Sequence, residues 1–229
     1  MKRSETEKRL IPEHQVATAI QVAGGHPNVI WYHESRIHNN LLWQTMEYCG
    51  GQNLQDIVEQ APNHRISSLE SLHYIRQIAR GLEFLHSLSI AHLGISLDNV
   101  FVDADMHCKL LGFKYSREST CNCEQFVGNP VYLAPEVLAL KTYHPMKADV
   151  WALGILLCIL LTGCSPIALD SRWTQILELY GCRKPVEVWI SANAADVDED
   201  VIEVLKLMLQ VDPASRPSVA EVLRVLPMR

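Results

Sequence analysis

Two stretches of this 229-residue chain carry side chains able to do chemistry. In the first, His92, Ser96, Asp98, Asn99, Asp103 and Asp105 lie close together in sequence. An imidazole can move a proton, and carboxylate and amide oxygens are the ligands a hard divalent cation takes. Asp103 to Met106, however, reads as a surface turn between two strand-like runs. In the second, Cys121-Asn122-Cys123 follows His107 and Cys108. Thiolates and imidazoles bind zinc, but this spacing matches no familiar zinc pattern, and no metal is expected.

The elements that must position these residues follow from periodicity and caps. Pro12-Glu13 reads as a helix start, with Val16, Ala19, Ile20 and Ala23 on one face and Gly24-Gly25 at its end. Val29–His33 and Leu41–Met46 read as two short strands around Asn39-Asn40. Gly50-Gly51 breaks the chain, and a short helix follows from about Asn53. Ser67 and Glu70 form a capping box ahead of a long amphipathic helix through Leu88. Val100–Val102 and Cys108–Leu111 read as a small hairpin, followed by a loop with Gly128, Pro130 and Pro135. Val150–Leu161 is apolar on almost every side and shorter than the roughly 20 residues a membrane span needs, so a central core helix is expected. Val201–Leu209 and a helix capped by Ser218 and Glu221 complete the order. The class is α+β, with two unequal lobes.

Composition narrows the function. Hydrophobic residues make up 48%, charged residues 20%, and the net charge is −6. That excludes disorder as the main state and argues against a nucleic-acid partner. No apolar leader follows the N-terminus, and the seven cysteines read as reduced thiols. An intracellular protein, cytoplasmic or nuclear, with no membrane partner is the expectation.

Seven segments then occur in a telling order: His26-Pro27-Asn28-Val29; Met46-Glu47-Tyr48; His92-Leu93-Gly94-Ile95-Ser96-Leu97-Asp98-Asn99; Lys109 to Lys114; Gly128 to Glu136, ending in Ala134-Pro135-Glu136; Asp149-Val150-Trp151-Ala152-Leu153-Gly154; and Asp212 to Pro217. Together they resemble a eukaryotic protein kinase domain over residues 12–226. The resemblance implies a catalytic loop at His92–Asn99 and a metal-binding turn at Gly112-Phe113. It implies an adenine site around Met46, Glu47, Tyr48 and Phe101, and an activation segment from Gly112 to Glu136 in which Ser116, Ser119 and Thr120 are the hydroxyls that could accept a phosphate.

The departures from that pattern matter most. The family's catalytic aspartate falls at Gly94, its metal-binding aspartate at Gly112, and its catalytic-loop lysine at Ser96. Leu93 replaces the arginine that receives an activation-segment phosphate. Asn99 alone remains of the metal contacts. Asp98 matches a position that points away from the phosphates. No G-x-G-x-x-G occurs, and the glutamate of the first helix falls by spacing at Val16, with Glu13 nearly a turn earlier. What remains is architectural: Glu136 and Arg216 as a buried pair, Asp149 as an anchor for the loop backbone, and Ile20, Tyr32, His92 and Phe113 as an apolar column.

The resulting expectation is a degenerate protein kinase-like domain, a pseudokinase, with no catalytic residues. Its glycine-rich loop and first three strands are expected to be missing, leaving a truncated N-terminal lobe. Residues 1–11 form a charged segment, 12–48 a remnant lobe of one helix and two strands, and 49–229 a helical lobe. The expected role is a scaffold or regulator that binds another protein. No cofactor is expected, with weak ATP binding left open. The alternatives are a serine/threonine kinase homologue with residual nucleotide binding or phosphotransfer, a truncated isoform of a longer protein, and a poorly folding remnant.

Overall fold

The computed structural model describes residues 5–39, 41–118, 123, 127–166, 189–190, 192–194 and 196–228, with side chains from Pro12 onward. The chain opens on α1 (Glu5–Val22). The sequence places its start at Pro12, yet Pro12 lies inside the helix. A proline there removes one intrahelical bond without ending the element. Val16, Ala17 and Ile20 form the buried face. Gly25 terminates the helix in the left-handed region, with φ +76°, and its N–H donates to the Ile20 carbonyl at 3.0 Å. A Cβ there would stand 2.8 Å from the Trp31 ring, so the bare backbone is what lets the indole pack.

β1 (Tyr32–His38) and β2 (Leu41–Met46) follow as an antiparallel pair in register from Tyr32↔Met46 to His38↔Leu41. The first strand lies further along than the run Val29–His33 suggests. Val29 and Ile30 are too buried for an alternating hairpin strand. They dock instead on the helical lobe: Val29 bridges Leu110, and the Ile30 N–H donates to the Leu110 carbonyl at 3.0 Å.

The sequence reading expects a truncated N-terminal lobe without its first three strands. The structure shows strands in place: β1, β2 and β3 (Gly51–Asn53) precede the long helix, and β1 and β2 pair with each other along their length as a sheet. Truncation is therefore withdrawn, while the α+β, two-lobed class and the helical second lobe stand.

In that second lobe, Asn53 caps α2 (Leu54–Gln60), its Oδ1 accepting the Asp56 N–H at 2.8 Å. Ser67 and Glu70 close the capping box that opens α3 (Ser68–Ser87). β4 (Ile90–Ala91) pairs with β7 (Arg117–Glu118), and β3, β5 (Val100–Asp103) and β6 (Cys108–Leu110) form a three-stranded sheet. α4 (Pro135–Leu138), α5 (Pro145–Thr162), α6 (Glu199–Met208) and α7 (Val219–Val225) follow. α5 is long and apolar enough to cross a membrane, with mean hydropathy 1.6, but 83% of it is buried inside this fold. It packs against α3 and α6 as the core helix its all-round apolarity predicts.

Candidate functional site

The site is assembled around Asp149, in the second turn of α5 and fully buried. One carboxylate oxygen accepts the His92 N–H at 2.8 Å and the His86 Nε2–H at 2.9 Å. The other accepts the Leu93 N–H at 2.7 Å. Those bonds hold the backbone after β4 in a tight reversal, with Leu93 at φ +56°. The His92 ring is fully buried. Its Nδ1 accepts the Gly94 N–H at 3.1 Å, so the proton sits on Nε2, which donates to the Leu111 carbonyl at 2.9 Å. Burial pushes its pKa below the ordinary value, against the pull of Asp149. Both nitrogens are committed to backbone, so His92 organises the loop and moves no proton.

Gly94, Asn99 and Gly112 meet beside this loop. The Asn99 Nδ2 donates to the Gly94 carbonyl at 2.7 Å, and the Asn99 carbonyl accepts the Leu111 N–H at 2.9 Å. Gly112 sits at φ +81°, and a Cβ built on it would lie 2.3 Å from Asn99 Oδ1. The carboxamide thus occupies the space a side chain at Gly112 would need. A Cβ at Gly94 would meet the Gly112 carbonyl at 3.3 Å and His92 Nδ1 at 3.4 Å, a tight but smaller intrusion. Ser96 is buried and Asp98 is exposed. Asp103 folds onto its own turn, accepting the Asp105 and His107 N–H groups at 2.9 and 2.8 Å. Those bonds lower its pKa, with the His107 N–H the leading cause. Asp103, Asp105 and His107 cluster there, the first half-buried and the other two exposed. Neither aspartate is placed with Asn99 by any bond.

The expected column comes together. The Phe113 ring lies 5.0 Å from the His92 ring and 6.2 Å from that of Tyr32, tilted to both by 51° and 56°, and Ile20 on α1 is buried with them. Ser116 is fully buried, and its hydroxyl donates to the His92 carbonyl at 3.0 Å. It is a structural pin rather than a phosphate acceptor. Ser119, Thr120, Cys121 and Cys182 lie outside the described residues. Cys108, next to His107 in sequence, is buried, and burial pushes its pKa up to about 12.

At the junction of the lobes, Glu47 Oε1 accepts the Trp31 N–H at 2.8 Å and pairs with Lys109 Nζ at 2.8 Å. Met46 and Tyr48 flank it, both exposed. Phe101 is half-buried on β5, opposite Asn53 and Lys109. Glu47 is thus engaged in holding the two lobes together. Sequence reasoning missed Lys109 in this role, and also Gln77. The Gln77 Oε1 accepts the Asn28 side-chain amide at 3.0 Å and the Cys108 N–H at 2.8 Å. A polar residue on the apolar face of α3 was the available signal. His86 was equally legible as a histidine in the last turn of α3, one strand ahead of His92.

Farther from the cleft, Arg216 and Glu136 form a two-pronged pair, both bonds 2.6 Å. The remaining guanidinium N–H groups reach the Gln210, Lys147 and Val211 carbonyls at 2.6, 3.0 and 3.2 Å. Trp151 lies under the guanidinium at 5.0 Å. Lys147 Nζ closes the cluster on the Arg216 carbonyl.

The family model for the protein kinase domain matches residues 1–226. The chain belongs to the protein kinase family. The match takes in residues 1–11, ahead of the 12–226 span over which the motifs occur. The kinase domain is 29% identical over 225 residues to the human hormonally up-regulated neu tumor-associated kinase, covering 94% of this chain and 29% of that protein. It is similarly 29% identical to homolog B of that kinase from Xenopus laevis, covering 94% of this chain and 34% of that protein. Serine/threonine-protein kinase fray1 of Dictyostelium discoideum is 31% identical over 157 residues, which is 66% of this chain and 27% of that protein. The chain therefore spans about a third or less of these relatives, and it is related to serine/threonine kinases through their kinase domain.

Proposed function

We propose that this kinase domain performs no phosphoryl transfer of its own and acts by binding another protein. One observation carries the reading: the Asn99 carboxamide fills the space beside Gly112 and is bonded to the Gly94 carbonyl. Phosphoryl transfer needs a group to orient the nucleophile and carboxylate oxygens to hold magnesium against the phosphates. In this cleft the two positions that supply them in the family are glycines, and the surviving amide is turned onto backbone. Ser96 in place of the loop lysine removes a positive charge from the same region.

The names of the relatives favour a second reading, a kinase homologue with residual nucleotide binding or phosphotransfer. A radiolabelled phosphotransfer assay on a general protein substrate separates the two. The non-catalytic reading expects incorporation at the level of a no-protein blank, unchanged in Asn99→Ala. Robust transfer that Asn99→Ala abolishes would establish the second reading.

A further inference from the structure

The chain passes between the helical lobe and the front sheet at residues 30–32, ahead of β1, and again at residues 46–51, between β2 and β3. A two-lobed protein opens and closes by letting a few such crossing residues absorb changes in φ and ψ. Here both crossings are tied down. At the first, the Leu110 N–H donates to the Asn28 carbonyl and the Ile30 N–H donates to the Leu110 carbonyl, each at 3.0 Å. The Asn28 side-chain amide reaches the Cys108 carbonyl at 3.0 Å. The segment is thus fastened to β6 through backbone on both sides of Val29. At the second crossing, the Glu47 N–H donates to the Trp31 carbonyl at 2.9 Å, and Glu47 Oε1 accepts the Trp31 N–H at 2.8 Å. Both backbone polar groups of Trp31 are taken up by one residue, which joins the two crossings to each other. The same Oε1 pairs with Lys109 Nζ on β6 at 2.8 Å, and that Nζ also donates to the Pro27 carbonyl at 3.2 Å. The Glu47 and Lys109 side chains are only 27% and 25% exposed, so water and salt screen this pair less than a surface pair.

We propose that Glu47 is a strap across the hinge, which holds the front sheet and the helical lobe at one fixed angle, with the Lys109 ion pair as its releasable end. A swing of the front sheet carries both crossings together, because Glu47 is bonded to Trp31 through its backbone and its side chain. The swing therefore pulls Glu47 off Lys109 and leaves two partly buried charges without partners, which is costly. The lobes accordingly behave as one body. Neutralising Lys109 removes that cost. The two crossings stay joined to each other through Glu47 and Trp31, but the second is no longer held to β6, and the angle between the lobes is free to vary. The strap acts on that angle alone and holds whether or not the cleft takes nucleotide.

Pulsed electron-spin distance measurement on the 229-residue chain tests the proposal. Spin labels are carried on ketone-bearing amino acids, which leaves the native thiols alone, at Arg36 on β1 and Leu207 on α6, both exposed. The expected result is one narrow distance distribution. Lys109→Met keeps the apolar stem and loses the charge, and Glu47→Gln keeps an acceptor for the Trp31 N–H; each should broaden the distribution. Lys109→Arg should keep it narrow. Amide hydrogen exchange in Lys109→Met should quicken about tenfold over residues 29–32 and 46–48 and stay unchanged in α5. An ion pair that only stabilises the fold would instead loosen α5 along with the crossings and leave the distribution narrow, and that result would overturn the proposal. So would a broad distribution in the unsubstituted pair of lobes, or a narrow one in both Lys109→Met and Glu47→Gln.

Discussion

The Glu136–Arg216 cluster and the Gly94–Asn99–Gly112 cleft sit in one lobe and are built on opposite terms. In the first, five guanidinium N–H groups each have an acceptor, and an indole covers the cation. In the second, two positions have no side chain, and the remaining polar group has turned inward onto the backbone. Asp149 and His92 belong with the first kind, since their hydrogen bonds go to backbone groups, to His86 and to the Ser116 hydroxyl, and the His92 ring packs beside Phe113. The difference separates what holds a kinase fold from what makes it a catalyst. The holding groups are buried and fully bonded, while the chemistry-bearing ones can be lost without leaving an unpaired charge behind.

Substitutions on each side break or sharpen this contrast. The largest effect is expected from Glu136→Gln, which leaves the Arg216 charge buried with half its partner removed. Breaking a buried pair costs about 3–5 kcal/mol, so a thermal or urea melt should show a domain near the limit of folding. Asp149→Ala comes next, because it strands the His92 and Leu93 N–H groups in the core. Two orphaned buried donors correspond to about 2–4 kcal/mol, read as a lower urea midpoint. Gly112→Asp should cost less, about 2 kcal/mol, from the left-handed backbone and the displacement of Asn99 from Gly94. It should also fail to create phosphotransfer, because Gly94 still offers no base. Ser67→Ala, at the α3 cap, should cost about 1 kcal/mol.

A pH titration probes the same division. Burial lowers the His92 pKa, so near pH 6.5 the unfolded chain binds a proton that the native state refuses. Stability from this group is fully present above that pH. It is lost as pH falls from about 6.5 towards the depressed native value. His92→Gln should flatten that part of the stability profile while lowering its plateau.

How much of this was legible in the sequence follows from what each signal depends on. The capping boxes at Ser67–Glu70 and Ser218–Glu221 are local rules, and both are in place. The apolar run of α5 could be read as core because no face of it is polar. Glu136 and Arg216, far apart in the chain, were paired through the family resemblance, and so were the members of the apolar column. The start of α1 was misplaced because a proline that looks like a first-turn residue is carried inside the helix. β1 was misplaced because the deep burial of Val29 and Ile30 comes from the other lobe, which no local pattern reveals. The front of the lobe was read as missing from motif absence alone, whereas strand pairing between β1 and β2 shows a sheet there. Gln77, His86 and Lys109 escaped notice because their roles exist only once α3, β6 and the lobe junction come together.

The account rests on the claim that the cleft does not assemble a magnesium–nucleotide site. Calorimetric titration of the chain with ATP, in the presence and absence of magnesium, tests it most directly. The account predicts no magnesium-dependent heat, and the same result for Asn99→Ala. Saturable binding that requires magnesium and disappears in Asn99→Ala would contradict it.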